Sequence, residues 1–254
     1  MLYQLLKLKK LFVKLITCWI FPESLRKNTR NFLFYFSFTN FIKFKNQNFK
    51  IVSLGTNCLP RVLTTAIKLK PRKIYGEKTG PFDLAVHKNI NKIADCIEND
   101  FQNFFNGLIF DNHWQNPKLD AIYIHDDKLT KQQFIKIYKK RINNFTQILN
   151  YPKTVYFIFS DYEQNTKAPE IIHLCNILKI KRNGKPFKLV ILTAHAIPDF
   201  LGENVIQLID DKFKIEDGNW VELCINEYGN INNRYTKFCK SMGEKLKEFV
   251  YKNS

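Results

Sequence analysis

The chain has no run of roughly 20 apolar residues, the length a helix needs to cross a bilayer, so no membrane-spanning helix is expected. It has no CxxC pair, and none of its six cysteines (Cys18, Cys58, Cys96, Cys175, Cys224, Cys239) stands at a zinc-like spacing from a histidine. No metal and no cofactor is therefore expected. Glycine and proline are sparse, nine each, which excludes a low-complexity or collagen-like polymer, and no internal repeat is visible. The apolar run over residues 11–21 is broken by Lys14 and ends in Phe-Pro-Glu, not in small residues. A cleavable signal peptide is not expected on that ground, and the thiols read as reduced and mostly buried.

Acidic side chains are also short, 23 against 40 Lys and Arg, for a net charge of +17. The excess is uneven. Residues 1–50 hold ten basic side chains against Glu23 alone, a charge of +9, and the other 204 residues hold 30 basic and 22 acidic ones, a charge of +8. Such a balance suits anionic partners. Nucleic acid is not the expected one, because no nucleic-acid module is legible and a basic patch by itself is unspecific. What is abundant is apolar and aromatic material, 45% and 15% of residues with 23 Phe, enough for a packed core and incompatible with a disordered chain.

In the first fifty residues Leu5, Leu6, Leu8, Leu11, Phe12, Leu15, Ile16, Trp19 and Ile20 recur near helical spacing with lysines between them. An aromatic band of Phe32, Phe34, Tyr35, Phe36, Phe38, Phe41 and Phe44 follows. Apolar area joined to positive charge is what an interfacial helix needs. Residues 1–48 are therefore expected to be a basic amphipathic leader on an anionic membrane surface. Lys7, Lys9, Lys10, Lys14, Trp19, Arg26, Lys27 and Arg30 are its candidate contacts. An ordinary helix packed on the protein's own core is the alternative. The text of residues 20–33 also resembles short leaders that precede catalytic domains of bacterial surface-glycan biosynthesis proteins. That resemblance implies a cytoplasmic protein, peripheral on the inner membrane.

From residue 49 the texture changes to short apolar strands alternating with amphipathic helices. Strands are expected at 51–54, 121–124, 154–159, 188–193 and 205–209, and helices at 59–69, 89–99, 130–149, 169–178 and 232–251. The helix at 130–149 carries a capping box in Thr130 and Gln133, with Lys131, Lys136, Lys139, Lys140 and Arg141 expected on its solvated faces. Alternation of this kind predicts an α/β domain over 49–254, a mainly parallel, Rossmann-like sheet with helices on both faces in three layers.

Ligands of such sheets bind beyond the carboxyl ends of the strands. The first segment there is Ser53-Leu54-Gly55-Thr56-Asn57-Cys58-Leu59-Pro60, a strand, a glycine turn and a helix start. Cys58 falls at the helix N-terminus, where backbone N–H groups and the helix dipole favour a thiolate and an oxyanion. Gly55, Asn57 and Leu59 are the expected positioning and oxyanion residues. Equally open is a buried structural cysteine. Asp83, after Gly80-Pro81-Phe82, either orients a histidine or caps a helix near His87. His125 is the best-placed general base for Cys58, with Asp126 or Asp83 as supporting acid and His195 as the alternative base. His87, His113 and His173 read as surface or helix residues.

The stretches Val52-Ser53-Leu54-Gly55-Thr56-Asn57-Cys58, Gly80-Pro81-Phe82-Asp83-Leu84, Asp100-Phe101 with Phe104-Phe105, His125-Asp126 and Lys139-Lys140-Arg141-Ile142-Asn143-Asn144-Phe145 resemble one family. It is a bacterial family of unknown function for which a papain-like cysteine peptidase activity has been proposed. The chain departs from it at Leu84, where the family has Trp. The resemblance implies Cys58 as nucleophile, His125 as base and Asp83 or Asp126 as acid, acting on a peptide, acyl or glycan substrate. The other expectation left standing is a glycan-assembly protein, a transferase or a non-catalytic partner, that binds a nucleotide sugar or glycan at the sheet rim.

Overall fold

The computed structural model describes residues 2–20, 22–87, 89–161, 166–198, 201–211 and 233–254, and the chain divides into two compact units. The smaller comprises residues 1–47 and 71–77, the larger residues 48–70 and 78–254. Cys224 and the side chains of Lys7, Phe32, Phe34, Tyr35 and Cys239 lie outside the described residues.

The smaller unit holds helices α1 (Leu2–Thr17), α2 (Glu23–Tyr35) and α3 (Phe38–Lys45) and a short 3₁₀ turn at Lys73–Tyr75. Among the described side chains of α1, Val13 and Thr17, four apart, are the buried ones. Thr17 is held from both sides: its hydroxyl donates to the Val13 carbonyl at 2.7 Å and accepts from Arg30 Nε at 2.7 Å. Arg26 and Arg30 also reach the Cys18 and Lys14 carbonyls at 3.4 Å, cations placed at the negative end of α1. Tyr75 anchors α3, with its hydroxyl accepting from Ser37 N at 2.8 Å and its ring against Phe36 and Phe44.

In chain order the larger unit runs β1 (Lys50–Ser53), α4 (Leu59–Ala66), β2 (Val86–His87), α5 (Ile90–Glu98), β3 (Ile109–Asp111), β4 (His113–Asn116), β5 (Ala121–Tyr123), α6 (Lys131–Leu149), β6 (Val155–Asp161), α7 (Ala168–Arg182), β7 (Phe187–Thr193), β8 (Val205–Ile209) and α8 (Asn233–Lys252). Strands β1, β6, β7 and β8 form a parallel sheet in that order. Their side chains alternate between two cores, as the period of a strand requires. Val52, Val155, Phe157, Phe159, Leu189 and Ile191 pack on one face with α5, α6 and α7. Ile51, Tyr156, Ile158, Val190 and Leu192 pack on the other with Leu59 and Leu63 of α4 and Met242, Leu246 and Val250 of α8. The domain is α/β, with a parallel sheet between helices on both faces.

One expected strand changes sheet. The alternation of strands and helices puts residues 121–124 in the parallel sheet, but Ala121–Tyr123 form β5 in an antiparallel sheet of order β2-β5-β4-β3, and Ile124 lies in the turn that follows. The connections explain it. One residue, Asn112 at φ 55°, separates β3 from β4, and four separate β4 from β5. A parallel crossover needs about a dozen residues, whereas antiparallel neighbours can be joined by a turn this short.

Candidate active site

β1 delivers the chain to Leu54, whose N–H donates to the Ile158 carbonyl at 2.9 Å and so extends the sheet by one residue. The backbone then turns at Gly55 with φ +84°, a left-handed conformation that a side chain would strain. A Cβ there would meet the Phe82 carbonyl at 3.6 Å and the His87 ring at 3.8 Å. Thr56 fixes the next step: its hydroxyl donates to the Ser160 carbonyl at 2.9 Å and its own carbonyl accepts from His87 N at 3.0 Å. Asn57 closes the turn, its Oδ1 accepting from Leu59 N at 2.8 Å. Cys58 is thereby the N-cap of α4, as expected, with Pro60 in the first turn.

The Leu59 amide, expected to receive an oxyanion, is thus occupied by Asn57, and Pro60 has no N–H. The carboxamide that blocks it offers another donor. Asn57 Nδ2 is buried and has no hydrogen-bond partner among the described residues.

His125 leaves β5 in the turn that Asp126 N closes on the Tyr123 carbonyl at 3.2 Å. Its Nε2 lies 3.6 Å from Cys58 Sγ. Cys58 is 4% exposed, and His125 is an exposed residue. Burial pushes the Cys58 thiol up from its ordinary value, against the pull of its own backbone amide and of Arg61. Desolvation is the largest influence on this thiol and opposes the thiolate expected at a helix N-terminus.

Neither candidate acid is hydrogen-bonded to His125 among the described residues. Asp83 is almost fully buried in a different pairing, accepting from Lys70 Nζ and Gly80 N at 2.6 Å each. It does not cap a helix either, since α5 starts on Asn89, whose side chain accepts from Asn91 N. Asp126 is clamped by α6: Arg141 donates through two nitrogens at 2.8 and 3.3 Å, and the Tyr138 hydroxyl donates at 2.8 Å. Arg141, expected on a solvated face, is therefore turned inward.

The remaining histidines divide by environment. His195, the alternative base, is exposed at the end of β7, where it lines a cavity of about 490 Å³ with Asp161, Thr166, Lys167 and Thr193. His113 Nδ1 lies 2.8 Å from Asp127 Oδ2. His87, expected at the surface or in a helix, is fully buried in β2 between the Phe82 and Tyr123 rings. Burial pushes it down to about 4, with the Leu119 backbone pulling the other way. His173 on α7 stands with Asp95 and Glu98 of α5, their ligand atoms within 4.8 Å of one another, and Lys92 pairs with Asp95 at 3.6 Å.

A mixed α/β domain with a cysteine and a histidine in contact beside its parallel sheet is the class of protein these observations define. A family model described as "putative papain-like cysteine peptidase" matches residues 49–196, more than half of the chain, and the chain belongs to that family. No curated protein and no solved structure matches it.

Proposed function

We propose that the protein is a cysteine-dependent hydrolase or acyl-transfer enzyme, with Cys58 as nucleophile and His125 as its base. The observation that carries this reading is the 3.6 Å approach of Cys58 Sγ to His125 Nε2 at the start of α4. Burial disfavours the thiolate, so in this mechanism deprotonation accompanies attack: Nε2 takes the proton as sulfur bonds to the substrate carbonyl carbon. The carbonyl oxygen becomes an oxyanion, for which the Cys58 N–H and the unpartnered Asn57 Nδ2 are the donors at hand. As the tetrahedral centre collapses the carbonyl re-forms, and the leaving group departs with the proton from His125. Water, or another acceptor, then attacks the thioester carbon while His125 removes its proton, and the thiol is restored.

The test follows acylation and alkylation of Cys58 in the full chain. A p-nitrophenyl acetate burst should appear in the wild type and vanish in Cys58→Ala. Iodoacetamide labelling of Cys58, read by mass spectrometry, should show a limb near neutral pH that His125→Ala removes, leaving labelling that rises only above about pH 8.5. An unchanged burst in Cys58→Ala, or superimposable labelling profiles, would sink the reading.

We also infer that the enzyme works at an anionic membrane surface. Leu8, Leu11, Phe12, Leu15, Ile16 and Trp19 are all exposed along one side of α1 and its continuation, at the 3–4 residue spacing of a helix face. Val13 and Thr17 occupy the opposite side. Lys9 and Lys14 flank the apolar stripe, an arrangement that suits the lipid interface.

A second reading, a rim that binds a nucleotide sugar or glycan as part of glycan assembly, is favoured by the cavity at His195. Its walls offer a buried carboxylate at Asp161, hydroxyls at Thr166 and Thr193 and an ammonium at Lys167, groups suited to sugar hydroxyls and phosphate. A rise in melting temperature with uridine diphosphate sugars, abolished by Asp161→Asn, would support it; no shift would reject it.

A further inference from the structure

His125 is exposed, and among the described residues its ring has one side-chain hydrogen-bond partner, Cys58 Sγ. A contact of 3.6 Å to a sulfur does not by itself hold an imidazole in place, so the ring's position is set by the backbone from which it springs. That backbone is fixed one residue on. Asp126 is 7% exposed and accepts three hydrogen bonds from α6, two from Arg141 and one from Tyr138. The guanidinium lies over the Tyr138 ring, 4.4 Å from its centroid, so its plane is set before it meets the carboxylate.

The same helix supports the other side of the site. Three residues after Arg141, Asn144 Nδ2 donates to the Thr79 carbonyl at 3.0 Å, and the Phe145 ring packs edge-on against Phe82 at 5.7 Å. The Phe82 carbonyl is in turn the group that faces Gly55 behind the Cys58 turn. Arg141 stays firmly cationic although burial opposes it, because Tyr138, Asp126 and Asp83 all favour its charge. Residues 141–145 therefore hold both the His125 turn and the loop behind the Cys58 turn.

Resting on the cysteine–histidine reading, we propose that Arg141 is the positioning residue of the site: its two-pronged grip on Asp126 places His125 against Cys58. Asp126 acts on His125 through the chain and not through a carboxylate–imidazole hydrogen bond.

The experiment compares Arg141→Met, Arg141→Lys and His125→Ala with the wild type, in the full chain, by the pH profile of Cys58 alkylation, by the p-nitrophenyl acetate burst rate and by melting temperature. Arg141→Met should lose the neutral limb of the profile and take on that of His125→Ala, with a burst rate lower by about 10²-fold, the cost of a misplacement near 1 Å. Arg141→Lys keeps the charge without the fork and should fall by about tenfold. Should Arg141→Met fail to fold, the isosteric Asp126→Asn carries the same expectation. A variant that melts lower but keeps the wild-type profile and burst rate would make Arg141 a stability residue only and overturn the proposal. If His125→Ala itself leaves the profile unchanged, the cysteine–histidine pair fails first, and the proposal falls with it.

Discussion

In the proposed mechanism Asn57 has two roles on one carboxamide, and they can be separated. Oδ1 accepts from Leu59 N at 2.8 Å, and Nδ2 is the buried donor left over beside Cys58. Asn57→Asp keeps the acceptor and removes the donor. It should fold with a melting temperature close to the wild type and acylate more slowly by about 10²–10³-fold, the usual loss for one oxyanion donor. Asn57→Ala removes both and should in addition cost about 1 kcal/mol of stability, as the loss of a cap does. Dividing each variant's burst rate by its Cys58 alkylation rate at the same pH keeps the effect of the new negative charge on the thiol from masking the comparison. Equal rates for Asn57→Asp and wild type would remove Asn57 from the oxyanion site. At this scale the sequence was informative where the signal is local. Cys58 at a strand, glycine and helix junction is a pattern within eight residues. Arg141 was not legible, because its partner lies fifteen residues away and its neighbours Lys139 and Lys140 made it look like one more solvated cation.

Elements divide in the same way. The central strands β6 and β7 are predominantly apolar, and α6 carries an equally plain signal, so the core of the parallel sheet and its flanking helices were readable from pattern alone. The second sheet was not, since strands of two to four residues show too few alternations to define a period. That sheet nevertheless delivers His125, and it does so from an antiparallel strand, not from the parallel rim that first pointed to it. It also buries His87, which gives the element a pH dependence with a definite sign. His87 ordinarily titrates near 6.5 and in the fold near 4. Between these values the unfolded chain binds a proton that the folded chain does not, so stability falls as pH drops from about 6.5 to 4. The loss attributable to His87 should approach about 3 kcal/mol at the acid end. Urea midpoints of wild type and His87→Gln should therefore converge as pH falls through this window, and parallel pH slopes would show that His87 is not the group responsible. Arg182 shows the opposite use of a buried charge. It stays in place by donating to five carbonyls, those of Ile148, Leu149, Tyr151, Lys153 and Pro186, and so joins the end of α6 to β6 and β7.

For the whole molecule, charge and apolar area are allotted unequally. The first fifty residues hold more than half of the net +17, and the exposed large apolar side chains crowd into the same stretch. Among the described side chains of α1, Val13 and Thr17 are buried on one side, and the stripe from Leu8 to Trp19 on the other is exposed. Arg26 and Arg30, expected among the lipid contacts, also reach the end of α1, and the lysines Lys14 and Lys27 are exposed. Each basic group near an anionic surface contributes about 1 kcal/mol, and the attraction decays over a Debye length of about 8 Å at physiological salt. The full chain should therefore sediment with vesicles containing phosphatidylglycerol and not with phosphatidylcholine alone, and 0.5 M salt should release most of it. Leu11→Glu with Leu15→Glu should abolish sedimentation at low salt while leaving the Cys58 alkylation profile unchanged. Recovery of the wild type in the supernatant with either vesicle would exclude the membrane as its partner. Equal sedimentation at low and high salt would show that the apolar stripe, not the charge, holds the protein there.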